Sequence, residues 1–287
     1  MKTYKLKKVL HTEEAAKLKG KFLSDDSFDI LINEDSDGYD VNGNLLFRYR
    51  KNAIPFDILK NGYTSFKDSI ELTEGRGIAS GSSHKRIRKD GSVSNITVGN
   101  KVMSGNVGYM DSSAMIKYCR KTAFARKYFD KFKQGIPFVE FIEQKYEELC
   151  PSYHAKQKAI ATGTNQNYLI GNTCFTTITI NENFRTAVHQ DSGDLSDGFG
   201  NLIVYREGSY DGGFFCMPEY RVAIDMQNCD ILFADVHKWH GNTELTNKSD
   251  DYKRISFVLY YREKMYLCNN PTEELNKMKM TNNYYKL

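Results

Sequence analysis

The chain has 287 residues, 40% of them apolar, and a formal net charge of +4. That length suits one large domain with a substantial core, and no run of about 18 apolar residues is present to span a membrane. The charge is too small to imply a nucleic-acid partner by itself. The basic start MKTYKLKKVL is followed by no apolar stretch, so it does not read as a secretory signal. Cys119, Cys150, Cys174, Cys216, Cys229 and Cys268 include no CxxC pair. They read as reduced thiols of a cytosolic protein, not as zinc ligands.

In chain order, a helix is expected near 12–20 and a strand-like piece at Leu45-Leu46-Phe47. From Gly75 to Gly108 the chain is rich in Gly, Ser and cations and reads as a loop. Within it, Ser83-His-Lys-Arg-Ile-Arg-Lys89 brings Lys85, Arg86, Arg88 and Lys89 together, either as a solvated segment or as a grip on phosphates. Residues 113–134 look helical. Pro137 suits the first turn of a helix running through Leu149, and Pro151 ends that helix and opens another. His84 and His154 have no partners in sequence and read as ordinary.

From Cys174 the pattern changes. Phe175-Thr-Thr-Ile-Thr-Ile180 alternates and is rich in β-branched residues, as a half-buried strand requires. Further short strands are expected at Leu202–Tyr205, Gly213–Cys216, Val222–Ile224, Ile231–Ala234 and Ile255–Tyr261, separated by turn signals such as Asp211-Gly212-Gly213. That rhythm predicts an antiparallel sandwich or jelly roll, buttressed by helices from the N-terminal half.

Two of the six histidines fall in an order with chemical meaning. His189-Gln190-Asp191 follows a predicted strand, and alternate residues of an extended segment point to one side. His240 comes about fifty residues later, after another strand, with His237 three residues before it as an alternative. Two imidazoles and one carboxylate leave three positions of an iron centre open, the pattern of non-haem Fe(II) oxygenases. Alone, His-x-Asp is a weak signal. Arg254 makes the set specific, because a planar, permanently charged guanidinium at the start of a strand suits the distal carboxylate of a 2-oxo acid, with Ser256 adding a hydroxyl.

At these residues the sequence resembles the Tet/JBP family of dioxygenases, which oxidise the 5-methyl group of pyrimidines in DNA. The resemblance is carried by Ala187-Val-His-Gln-Asp-Ser-Gly-Asp194, Gly212-Gly213, Asp230-Ile-Leu-Phe233, His240-Gly-Asn-Thr243 and Arg254-Ile-Ser-Phe-Val-Leu-Tyr260. It is closest to the thymine hydroxylases of the J-base pathway and their bacteriophage relatives. It covers about residues 170–262 and reaches back weakly to Cys119-Arg-Lys-Thr-Ala-Phe-Ala-Arg126.

The resemblance implies an α+β chain with a double-stranded β-helix core. One domain over 1–287 is expected from the pattern along the chain: an N-terminal extension to 110 carrying the basic loop, helical support over 111–165 and the core over 170–265. The resemblance also implies Fe(II) on His189, Asp191 and His240, with 2-oxoglutarate on Arg254 and O2 as co-substrate. Arg126 or Arg120 would be the second arginine near 2-oxoglutarate. Asp194 would face the Watson–Crick edge of a flipped or single-stranded base, and Tyr260 would stack on it. Arg262 stands where the methylcytosine oxidases of animals have a histidine, which favours thymine over 5-methylcytosine. A monomer in the cytoplasm or nucleus, acting on DNA, is expected. The rival readings are the same chemistry on a non-nucleic-acid substrate, or a barrel that binds modified DNA without turnover.

Overall fold

A computed structural model describes residues 1–81 and 84–284, leaving aside the side chains at 84, 86, 95–98 and 282–284. In chain order it contains β1 (Lys2–Leu6), α1 (Thr12–Ala16), β2 (Ile30–Ile32), β3 (Ser36–Asp40), β4 (Leu45–Arg50), α2 (Phe56–Phe66) and β5 (Glu71–Thr73). Next come β6 (His84–Ile87), β7 (Val93–Val98), β8 (Val102–Met110), β9 (Arg120–Lys121), α3 (Ala123–Lys127), α4 (Phe129–Gln134), α5 (Ile136–Leu149) and α6 (Pro151–Gly163). The C-terminal half adds β10 (Thr177–Glu182), β11 (Gly200–Glu207), β12 (Asp211–Gly212), β13 (Phe215–Met217), β14 (Val222–Ile224) and β15 (Ile231–Ala234). It closes with β16 (Gly241–Asn242), β17 (Leu245–Thr246), β18 (Lys253–Tyr260) and α7 (Pro271–Tyr284).

Among the described residues, ten strands form one sheet in the order β1-β3-β4-β15-β11-β18-β10-β8-β5, with β9 beside β8. A smaller sheet, β16-β13-β14-β2, packs against it. Period-2 alternation sorts the side chains. On β11 and β15, Ile203, Tyr205, Ile231 and Phe233 join the core under the helices, while Val204, Leu232 and Ala234 join the core between the sheets. Helix α5 buries Phe138, Ile142 and Tyr146 at i, i+4 spacing. Phe138 lies 5.3 Å from Phe257 and Tyr146 stacks at 5.5 Å on Phe233, so the helix seals the outer face of the large sheet. Pro137 and Pro151 sit in the first turns of α5 and α6. No helix of the described residues is long and apolar enough to cross a membrane.

The structure differs from expectation in four places. The Gly75–Gly108 segment is not a loop: β6 and β7 pair as a hairpin, and β8 enters the large sheet beside β10. Its glycines and serines are turn formers in isolation, but packing needs them small. A Cβ on Gly105 would lie 2.1 Å from the Ser69 carbonyl oxygen. The stretch 113–134 is helical only in α3 and α4, and Arg120 lies on β9. The first 110 residues do not flank the barrel but supply strands to both sheets, β2 pairing parallel with β14 and β4 antiparallel with β15. Finally, Cys119 and Cys268 form a disulfide across a separation of 149 residues, where reduced thiols were expected. Sequence spacing exposes only local pairs, and this one is created by packing α7 beside the β9 segment, where Glu274 also accepts from the Cys119 N–H at 2.7 Å.

Candidate metal centre and co-substrate pocket

His189 and His240 face each other across an isolated antiparallel bridge. Their backbones exchange both hydrogen bonds, at 2.9 and 3.0 Å. This bridge, with Asp191 N–H donating to Val236 O at 3.0 Å, brings three residues from two distant segments to one point. Each imidazole uses Nδ1–H to donate to a backbone carbonyl: His189 to Ala187 at 2.8 Å and His240 to Lys238 at 2.9 Å. That fixes the tautomer and leaves both Nε2 lone pairs free. The Nε2 atoms lie 3.3 and 3.7 Å from the Asp191 carboxylate.

The electrostatics fit a metal-ligand set. Burial, reinforced by His189, lowers His240 to about 4, so its ring is neutral near pH 7. Burial works against ionisation of Asp191, but the adjoining His189 and His240 imidazoles and the Arg76 guanidinium outweigh it and hold the carboxyl well below its ordinary range. Two imidazole nitrogens and one carboxylate suit an Fe(II) site with open positions. His237 is turned away, its Nε2–H donating to Leu195 O at 3.1 Å. Trp239 is buried in a small core cluster.

The triad lines a cavity of about 360 Å³. Alternation along β18 sends Ile255, Phe257 and Leu259 under the helices and turns Arg254, Ser256, Val258 and Tyr260 into the cavity. From β10, Thr179 and Asn181 reach the same space. Arg254 is buried, and among the described residues no carboxylate lies within ion-pair distance of it. Its neighbour Asp225 is engaged by Arg206 at 3.7 Å. Gly213, at φ +69°, makes room for the arginine, since a Cβ there would lie 3.1 Å from Arg254 Nε. A buried guanidinium open only to a cavity is an anion site in want of its anion. The Asn181 amide donates to Ser256 Oγ at 3.3 Å, giving the floor further polar groups.

The segment after Asp191 is tied to the end of β18 by Leu195 N–H to Tyr261 O at 2.9 Å and Glu263 N–H to Gly193 O at 3.0 Å. Asp194, Tyr260 and Arg262 therefore share one wall. Burial and the nearby Asp191 push the Asp194 carboxyl well above the carboxylate range. Arg262 is held by Asp111, Nε to Oδ1 at 2.8 Å.

Arg120 and Arg126 are not in this cavity. They line an adjoining one, where Arg126 is exposed and Arg120 donates to the carbonyls of Asp111 and Tyr118 at 3.1 and 3.4 Å. Arg76 also lines the triad cavity, beside Arg254 and Arg262, and sequence reasoning passed over it in the Gly-rich segment. Thr179 and Asn181 were also passed over, although the alternation of Phe175–Ile180 extends to both. Lys85, Arg88 and Lys89 are exposed on the β6–β7 hairpin, away from both cavities, and the Arg86 side chain lies outside the described residues. His154 does have partners. It joins Glu143 and Cys174 in a buried cluster in which Glu143 accepts from His154 at 3.1 Å, Lys158 at 2.7 Å and the Cys174 N–H at 2.6 Å.

Residues 106–263, more than half of the chain, match the model of the Tet/JBP oxygenase domain of the 2OGFeDO superfamily. The chain belongs to the Tet/JBP family. This Tet/JBP chain is 35% identical over 162 residues to the bifunctional helicase and thymine dioxygenase JBP2 of Trypanosoma brucei brucei, covering 55% of the chain and 15% of that relative. It is 34% identical over 163 residues to thymine dioxygenase JBP1 of the same organism, covering 55% and 19%. The chain thus spans less than a fifth of these relatives' lengths. In structure it is similar to NgTET1, solved in complex with 5mC DNA, with a TM-score of 0.55 and 14% identity over 87% of this chain and 86% of that one. The α+β double-stranded β-helix expected from the sequence is the fold observed.

Proposed function

We propose that this protein is an Fe(II)- and 2-oxoglutarate-dependent dioxygenase that hydroxylates the 5-methyl group of a pyrimidine base in DNA, converting thymine to 5-hydroxymethyluracil. The observation that carries the reading is one cavity holding both halves of such a site. The free Nε2 atoms of His189 and His240 meet the Asp191 carboxylate, and the buried Arg254 guanidinium stands unpaired beside them. Bound there, iron and 2-oxoglutarate supply the oxidising centre that inserts one oxygen of O2 into a C–H bond, with succinate and CO2 as the other products.

The chain's own groups supply position and exclusion of water. The Ala187 and Lys238 carbonyls hold the two imidazoles in ligating orientation. Arg254 binds the distal carboxylate of 2-oxoglutarate, with Ser256 and Asn181 beside it, and its fork fixes direction as well as affinity. The 5-methyl group is out of reach inside a duplex, so the base must flip or the strand be single. Tyr260 offers a stacking face at the cavity wall. Asp194 accepts from the thymine N3–H. Arg262, locked by Asp111, borders the same wall.

The thymine activity of the trypanosome relatives supports thymine over 5-methylcytosine. The deciding experiment is mass spectrometry of nucleosides after incubating thymine- and 5-methylcytosine-containing DNA with protein, Fe(II), ascorbate and 2-oxoglutarate. Formation of 5-hydroxymethyldeoxyuridine is expected. Product from methylcytosine alone would reverse the base assignment, and 2-oxoglutarate turnover with no modified base would exclude DNA.

A further inference from the structure

Beside the triad cavity lies a second cavity of about 440 Å³, and the two share Gly75 and Arg76 on their common rim. Its walls come from β5, β8, β9 and α3, and its charge is one-sided. Arg76, Arg120, Lys121, Arg126 and Lys127 all line it, and among the described residues no carboxylate lies within ion-pair distance of any of them. The two acidic residues lining the cavity are Asp68, already paired with Lys131, and Glu71. Lys121 and Lys127 are held over the rings of Phe129 and Tyr128, at 4.6 and 5.0 Å to the ring centroids. Such contacts restrain the side chains without neutralising them.

Arg76 adds an independent sign. Its Nε is buried and has no acceptor, although such atoms are nearly always satisfied. An unsatisfied cationic donor on the rim between two cavities calls for an anion that passes from one to the other. A small anion would fill one cavity and leave the distributed cations of the other unmatched. A polyanion with one unit in the triad cavity and its neighbours along the basic wall matches both.

We propose that the second cavity is the path of the DNA strand, holding the phosphodiester backbone that flanks the nucleotide whose base enters the triad cavity. The proposal rests on the DNA reading above and gives it a surface other than the β6–β7 hairpin. Contacts of this kind position the strand and carry no sequence information.

The test uses the full chain and its K121E/K127E and K121Q/K127Q variants. Binding is measured by fluorescence anisotropy over a salt series, with a thymine-containing single strand, an abasic strand of equal length and thymidine monophosphate. Both lysines are exposed, and the glutamine pair keeps the test alive if charge reversal disturbs folding. The glutamine variant should lower the log–log salt slope by about 1.4 for both strands, about 0.7 per lost contact. The glutamate variant should weaken binding at least tenfold.

Unchanged slopes and affinities, while the wild type hydroxylates thymine, would overturn the strand path and leave the dioxygenase reading intact. Lysine-dependent binding of the abasic strand without hydroxylation of any base would support the path and remove the function. Thymidine monophosphate binding as tightly as the strands would make the cavity a small-anion site and overturn the proposal.

Discussion

Replacing Arg254 by methionine should raise the stability of the ligand-free protein while abolishing its response to 2-oxoglutarate. Arg254 is buried, burial pulls its guanidinium below the ordinary arginine range, and the nearby Asp225 is engaged by Arg206. A charge held this way costs free energy that an apolar side chain of similar length does not, and replacing buried charged groups with apolar ones commonly gains about 1–4 kcal/mol. Water in the cavity offsets part of that cost, so about 1–2 kcal/mol is expected. At roughly 2–4 °C per kcal/mol for a large domain, the ligand-free variant should melt about 2–8 °C higher. The loaded wild type gains about 2.7 kcal/mol at a ligand concentration of 100 Kd. The variant leaves a carboxylate unpaired in the same cavity and gains almost nothing. The assay is thermal unfolding with and without 2-oxoglutarate under nitrogen, in the presence of Fe(II), and the order of melting temperatures should invert between the two conditions. A ligand-free variant less stable than wild type would refute the account of an uncompensated charge. A retained ligand shift would refute Arg254 as the carboxylate anchor.

Asp191→Ala should abolish iron retention and succinate formation; between the histidines, His240→Ala should lose iron and His237→Ala keep it, as metal analysis after anaerobic purification will show. Neutralising Lys85, Arg86, Arg88 and Lys89 together should lower the salt slope of DNA binding by about 0.7–0.9 for each contact the hairpin makes, and an identical slope would leave that cluster a solvated turn. Thiol titration of the denatured chain should count four free cysteines before reductant and six after; six at the start would exclude the Cys119–Cys268 bond. Glu143→Gln should cost about 1–3 kcal/mol at pH 7. Burial raises the Glu143 carboxyl, but Lys158, Cys174 and His154 outweigh it and hold it below its ordinary value. Its contribution is therefore present above the unfolded glutamate pKa of about 4.3 and lost as pH falls through the folded value. Urea melts of the two proteins should converge in acid, and a constant difference down to pH 3 would exclude the linkage.

Local sequence determined which residues share a face. The alternation of Phe175–Ile180 and of Arg254–Tyr260 is a property of the pleat; it made both strands legible, and the structure puts Arg254, Ser256 and Tyr260 on the cavity side, although Tyr260 was singled out only through the family resemblance. His189-x-Asp191 was legible for the same reason, and α5 and α6 were legible from Pro137 and Pro151 because proline's restrictions act within one turn. What covers each face was decided only by tertiary packing. The bridge that sets His240 against His189 joins segments about fifty residues apart and turns His237 aside, and three residues of sequence spacing cannot distinguish those outcomes. Arg76 enters the triad cavity, and Arg120 and Arg126 do not, because of where the β5–β6 connection and α3 dock on the sheet. The segment 102–110 carries a turn-former composition yet becomes a strand of the large sheet, since strand pairing and close backbone approach at Gly105 outweigh weak local preference. Periodicity is a short-range signal, whereas contacts between distant segments depend on shape, volume and hydrogen-bond partners that exist only once the chain has folded.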